Sequence, residues 1–177
     1  MHIIPHNAGS GLVLYMHLER IPAELTQLTA QLALRGPVRV LDGGNVFQAY
    51  PIARMVRRHT ADLDEALGRL QIARAFTCHQ VYTLLHGIEA IQAPTIALNL
   101  LTTFYDENED LDESHRLLRA CITELRRLAS PGVVVISARI PKPQHEERAF
   151  FLEELAEAAD RLITVTPPPQ PEQLNLF

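Results

Sequence analysis

Short apolar runs alternate with longer amphipathic stretches along almost the whole chain. Residues 12–18 (Leu-Val-Leu-Tyr-Met-His-Leu) are mostly apolar and too few for a helix, which predicts a first, central strand. Pro22 suits the first turn of a helix, where its missing N–H costs nothing. Leu25, Leu28, Leu32 and Leu34 continue at helical spacing, and Gly36 closes that helix. Val38-Arg39-Val40-Leu41 then reads as a short buried strand ending in a polar turn, Asp42-Gly43-Gly44-Asn45, where glycine lets the backbone reverse cheaply. A helical stretch over 52–58 and a further segment over 62–70 follow. Residues 71–76 (Gln-Ile-Ala-Arg-Ala-Phe) predict a third strand, and Val81, Leu84, Leu85 and Ile88 a helix after it. The near-continuous apolar run over 94–101 predicts a fourth strand buried on both faces. An acidic loop is expected over 105–113. Leu117, Leu118, Cys121, Ile122, Leu125 and Leu128 mark a helix from about Ser114 to Ala129, and strands over 133–137 and 161–165 flank a last helix over 150–159.

Strands that alternate with helices in this way predict an α/β domain with a mainly parallel central sheet and right-handed crossovers. With 177 residues, 47% of them hydrophobic and 21% charged, the chain suits one globular domain with a sizeable core. The sheet domain is expected to occupy 1–165. Residues 166–172, with Pro167-Pro168-Pro169-Gln170-Pro171, change composition and predict an extended linker, leaving 173–177 as a separate peptide. No basic segment followed by an apolar run opens the chain, and no apolar run approaches a membrane span, so a bacterial cytoplasmic protein is expected.

Candidate chemistry is sparse. In open α/β sheets ligands bind at the carboxyl ends of the strands, which directs attention to the turn at Asp42. Ala8-Gly9-Ser10-Gly11 is not followed by Lys-Ser or Lys-Thr and precedes a strand, so it reads as a turn and not as a phosphate loop. The two cysteines, Cys78 and Cys121, lack metal-ligand spacing and read as buried thiols. His79 beside Cys78 suggests a thiol–imidazole pair, and His86 lies on the same helix, but no third orienting group is placed, so ordinary helix residues are expected; His2, His6 and His17 have no ligand spacing. No metal and no cofactor is expected. A net charge of −5 and the acidic stretch at 105–113 argue against direct nucleic-acid binding. Arg54, Arg57, Arg58, Arg116, Arg119, Arg126 and Arg127 read as solvated helix faces.

Three strings resemble the RecA-like ATPase core, particularly the archaeal and eukaryotic recombinases. Residues 71–80 (Gln-Ile-Ala-Arg-Ala-Phe-Thr-Cys-His-Gln) resemble a strand that leads into a helix in that family. Residues 40–47 (Val-Leu-Asp-Gly-Gly-Asn-Val-Phe) resemble its strand and turn carrying a catalytic glutamate. Residues 26–33 (Thr-Gln-Leu-Thr-Ala-Gln-Leu-Ala) resemble the helix after its phosphate loop. The resemblance spans roughly 12–165 and implies a RecA-like three-layer α/β/α domain. It also implies where catalysis would sit, and those positions do not carry it. Leu25 stands at the phosphate-loop lysine, no glycine remains in the matching segment 19–26, and Glu19 and Glu24 would repel a polyphosphate; only the Thr26 hydroxyl survives. Asn99 stands at the Mg²⁺-ordering aspartate, and Gly44 at the water-orienting glutamate. Leu25, Thr26, Asp42, Gly44 and Asn99 are therefore expected to form a vestigial nucleotide crevice without hydrolysis. The DNA-binding loops implied by the family fall on the acidic 105–113 and on the short, mixed-sign 139–148, which again argues against DNA.

The chain ends Gln173-Leu174-Asn175-Leu176-Phe177, which resembles the bacterial sliding-clamp-binding peptide. Gln173 can hydrogen-bond a pocket rim, while Leu174, Leu176 and Phe177 can bury apolar area in a preformed groove and Asn175 supplies the small polar position. The alternative is a terminus that folds back on the domain; the match in residue type after a stiff spacer favours the clamp. The domain is also similar to ImuA-like factors of translesion synthesis and to SulA-like division inhibitors. The expected function is a non-catalytic accessory protein in DNA repair, recombination or translesion replication. It would be tethered to the sliding clamp and bind a recombinase- or polymerase-type protein. The alternatives are a nucleotide-binding ATPase or sensor using Thr26, Asp42 and Asn45 with Asp106 or Glu107 at a metal, and a SulA-like inhibitor.

Overall fold

The alternation of strand and helix is realised as a three-layer α/β/α domain, consistent with a RecA-like type of fold. The computed structural model describes residues 10–18 and 21–165. Its strands are β1 (Gly11–His17), β2 (Val38–Asp42), β3 (Leu70–Arg74), β4 (Thr95–Leu98), β5 (Val133–Arg139) and β6 (Arg161–Val165). Its α-helices are α1 (Ala23–Ala33), α2 (Ala49–Arg57), α3 (Leu63–Gly68), α4 (Cys78–Gly87), α5 (Leu111–Ala129) and α6 (Phe150–Ala158). The strands form one six-stranded sheet in the order β3-β2-β4-β5-β1-β6, and every neighbouring pair is parallel. In the middle of the sheet Val40 lies opposite Ile96, Ile96 opposite Val135, and Val135 opposite Val13.

A parallel sheet must be covered on both faces, because its crossover helices lie there and its strands are apolar on both sides. On one face α4, α5 and α6 bring Leu85, Leu118, Leu125 and Phe151 against Leu12, Leu14, Leu41, Val134 and Ile136. On the other, Leu25 and Leu28 of α1 pack on Tyr15, Val40, Ile96 and Val135. α2 and α3 reach that face through α1, with Ile52, Val56 and Ala66 packing around Ala30. Every residue of β4 is buried, as the two-faced reading of that run requires.

The apolar run over 94–101 is not one long strand. β4 stops at Leu98, Asn99 turns into the left-handed region (φ 47°), and Leu100–Phe104 coils into a 3₁₀ helix. Leu100, Leu101 and Phe104 are all fully buried, so an apolar run serves the core in two conformations that hydropathy alone does not separate. The acidic segment is shorter than expected because α5 begins at Leu111: the Asp110 carboxylate accepts from the Glu113 backbone N–H at 2.9 Å and caps the helix there. Arg127 is more than a solvated cation, since its guanidinium donates to the carbonyls of Leu85 (3.1 Å) and Ile88 (2.8 Å) at the end of α4. Among the described residues no helix is long and apolar enough to cross a membrane.

Candidate functional site

The carboxyl ends of β4 and β5, the turn after β2 and the first turns of α1 and α2 enclose a cavity of about 780 Å³, a size that suits a small-molecule site. Its polar lining includes Thr26, Thr29, Asn45, Gln48, Asn99 and Arg139, and its apolar lining includes Leu25, Val46 and Phe47. This is the crevice that the topology predicts, and it gathers residues from positions more than 100 apart in sequence.

Leu25 lies in the first turn of α1 and is fully buried against the sheet. Its side chain is part of the core, in the place where a phosphate-binding cation is expected from the resemblance. Thr26, the next residue, lines the cavity and is half-buried. Pro22 caps α1 without any side-chain hydrogen bond, and Glu24 stands exposed in the first turn, adding negative charge beside the helix N-terminus. Glu19 and Arg20 lie outside the described residues.

Asp42 ends β2 and is fully buried. It does not line the cavity. Its two carboxylate oxygens instead accept from the backbone N–H groups of Val46 (2.9 Å) and Phe47 (3.0 Å), and Arg74 Nε lies 3.4 Å from Oδ2. A buried carboxylate needs such partners, and charge-assisted bonds to two successive amides fix the turn after the strand. Asn45 contributes to that turn through its left-handed backbone (φ 52°), and its side chain faces the cavity.

Gly44 and Asn99 meet across the crevice floor. A Cβ built on Gly44 would lie 2.6 Å from the Asn99 Cβ and 3.1 Å from its Nδ2. The space that a glutamate side chain would need at position 44 is thus filled by the side chain at position 99. Asn99 is 3% exposed, and its Oδ1 is paired with His17 Nε2 at 2.9 Å. The Ser137 hydroxyl accepts from the Asn99 backbone N–H at 2.8 Å. His17, at the end of β1, is 2% exposed, and its Nδ1 has no hydrogen-bond partner among the described residues. Burial holds the His17 pKa below the ordinary imidazole value; the bond to Asn99 opposes that shift and the nearby Arg139 guanidinium adds to it. The floor is therefore a neutral chain of imidazole, amide and hydroxyl.

The structure brings Leu25, Thr26 and Asn99 to one cavity, with Gly44 against Asn99 and Asp42 turned away into the loop. Asp106 and Glu107 are not brought to it: Asp106 Oδ1 accepts from Asn108, and Glu107 lies 3.4 Å from His145. By sequence, His17 is weighed only as a metal ligand and Arg139 only as part of the 139–148 loop, and Gln48 is not singled out. His17 and Arg139 are opposite each other in the β1–β5 register, which only the strand order reveals. Gln173, Leu174, Asn175, Leu176 and Phe177 lie outside the described residues. No protein-family model matches the chain, and no curated protein matches it at a significant level.

Proposed function

We propose that this chain is a non-catalytic RecA-like accessory protein of DNA repair, recombination or translesion replication, held at the bacterial sliding clamp by residues 173–177. The observation that carries the non-catalytic part is the collision at the crevice floor: a side chain at position 44 would lie 2.6 Å from Asn99, so the water-orienting carboxylate implied by the resemblance has no room. The buried Leu25 supports the same reading, because a hydrocarbon sealed against the sheet cannot neutralise phosphate charge. The sequence Gln-Leu-Asn-Leu-Phe after a proline-rich spacer supports the tether. Binding through two sites, domain and tail, raises effective concentration without any new contact. Calorimetry against purified clamp tests the tether: the full chain binds and a chain lacking 173–177 does not. Equal binding by the two, or none by either, refutes it.

A second reading is favoured by the cavity itself, which at about 780 Å³ retains room for a nucleotide-sized ligand beside Thr26, Asn45 and Arg139. A rise in melting temperature with ATP and Mg²⁺ would establish it and displace the first reading of the crevice.

A further inference from the structure

On the opposite face of the sheet from α1, the N-terminus of α4 meets the acidic loop that precedes α5. Cys78 and His79 are the first two residues of α4, fixed there by the Thr77 hydroxyl, which accepts from the Gln80 backbone N–H at 3.2 Å. The Cys78 sulfur, a ring nitrogen of His79 and a carboxylate oxygen of Glu109 all lie within 4.8 Å of one another. His79 Nε2 is 4.0 Å from Glu109 Oε2 and 4.0 Å from Glu113 Oε1, too far to hydrogen-bond either. We propose that Cys78, His79 and Glu109 form a binding site for a zinc-type transition-metal ion, with water as the fourth ligand and Glu113 adding negative charge.

The donor set selects the metal class. One thiolate, one imidazole and one carboxylate suit tetrahedral Zn²⁺ or Co²⁺, whereas Mg²⁺ and Ca²⁺ take oxygen ligands. Metal–ligand bonds of about 2.0–2.3 Å put neighbouring donors of a tetrahedron roughly 3.5 Å apart. The trio must contract by about 1 Å to reach that geometry, and His79, an exposed side chain, is free to make the adjustment.

The backbone that carries the carboxylate is held in place by the fold. Arg148, at the end of the 3₁₀ turn Pro143–Arg148, turns inward and is 7% exposed. Its guanidinium donates to the carbonyls of Phe104 (2.8 Å) and Glu109 and to the Ser114 hydroxyl (3.2 Å). It thereby pins the acidic loop at Glu109 and the first turn of α5 together. The Ser114 hydroxyl is in turn a hydrogen-bond partner of the Cys78 sulfur, the outer-layer support that metal ligands commonly receive. A metal ion takes the sulfur as thiolate and releases its proton to solvent on binding. Cys78 is buried, Glu109 half-buried and His79 exposed, so the cation reaches the sulfur from the His79 side.

Cobalt titration of the full chain, read by absorbance, tests the site. Wild type develops a near-ultraviolet sulfur-to-cobalt charge-transfer band saturating at one ion per chain, with visible bands of tetrahedral intensity. Cys78→Ser loses the sulfur band and Cys121→Ala keeps it. His79→Ala and Glu109→Gln change exposed or half-buried side chains, leave the circular dichroism spectrum unchanged and weaken cobalt binding about tenfold or more. Should Cys78→Ser not fold, these two variants decide. Absence of the sulfur band in wild type, its persistence in folded Cys78→Ser, or undiminished cobalt affinity in His79→Ala overturns the site.

Discussion

Replacing Gly44 by alanine tests whether positions 44 and 99 have become one packed unit. Gly44 does not have a positive φ, so alanine is allowed by the backbone and any cost must come from contact. The new methyl carbon would stand 2.6 Å from the Asn99 Cβ, about 1 Å inside the usual 3.5–4.0 Å separation of carbon atoms. Asn99 cannot simply swing aside, because its amide is tied to His17 and its backbone to Ser137, all of them buried. Overpacking of this kind costs about 1–3 kcal/mol, which for a domain of this size lowers the melting temperature by roughly 2–12 °C. Asn99→Gly removes the obstructing side chain and suits the left-handed backbone, but leaves His17 Nε2 unpartnered, with a net cost of about 1–2 kcal/mol. In the double variant the alanine methyl occupies vacated space. Urea unfolding followed by circular dichroism should therefore show Gly44→Ala/Asn99→Gly more stable than the sum of the single changes by about 1–3 kcal/mol. A Gly44→Ala protein within about 0.5 kcal/mol of wild type, or strict additivity in the double variant, would refute the coupling.

Two further outcomes follow from the same crevice. Leu25→Lys returns a cation to the phosphate-loop position but buries it in a fully closed apolar site, so it should destabilise by at least about 2–4 kcal/mol and bring no ATP-dependent rise in melting temperature; a stable variant that gains ATP binding would show that the pocket only lacks its lysine. His17 has a folded pKa held below the ordinary 6.5, so the unfolded chain takes up its proton first: its stabilising contribution is complete above about pH 6.5 and is lost as pH falls below that value. His17→Gln should flatten the fall in unfolding free energy between about pH 7 and pH 5, and an unchanged pH slope would remove His17 from the account.

What could be read from sequence follows from what sequence pattern encodes. Burial on two faces forces the apolar runs of β2, β4 and β5, and the leucine spacing of α1 and α5 is set by helical period, so element order and type were legible. The start of α5 was also written in the chain, since Asp110 followed by Glu113 is a capping signal, but the surrounding acidic residues masked it as loop. The break at Asn99 was not legible, because Leu100–Phe104 is as apolar as the strand before it. The pairing of His17 with Asn99 joins residues 82 apart, and depends on β1 and β4 both ending beside β5. In the same way His79 and Glu109 look like an ordinary helix residue and one of many acidic loop residues until Arg148 folds the loop inward. Asp42 is the last residue of β2, and its partners, the amides of Val46 and Phe47 in the turn beyond, depend on a local geometry that only coordinates supply.

The chemistry of position 99 strengthens the adaptor reading beyond the loss of any single group. Asn99 is buried, and its Oδ1 lies within hydrogen-bonding distance of His17 Nε2 and 3.5 Å from the Ser137 hydroxyl. An aspartate in that place would put a full negative charge against the buried imidazole and hydroxyl, and would draw His17 towards its protonated form. A neutral amide satisfies the same donors with no charge to balance. At position 44 glycine is required by the side chain at 99, whose Cβ is the nearest atom, and at position 25 leucine completes the sheet's cover. Each of the three residues fits the others and none leaves a charge awaiting a ligand. A floor assembled in this way holds together through its own neutral contacts. The remaining cavity above it, with Thr26 and Arg139 on its walls, is the part of the crevice still able to receive a ligand.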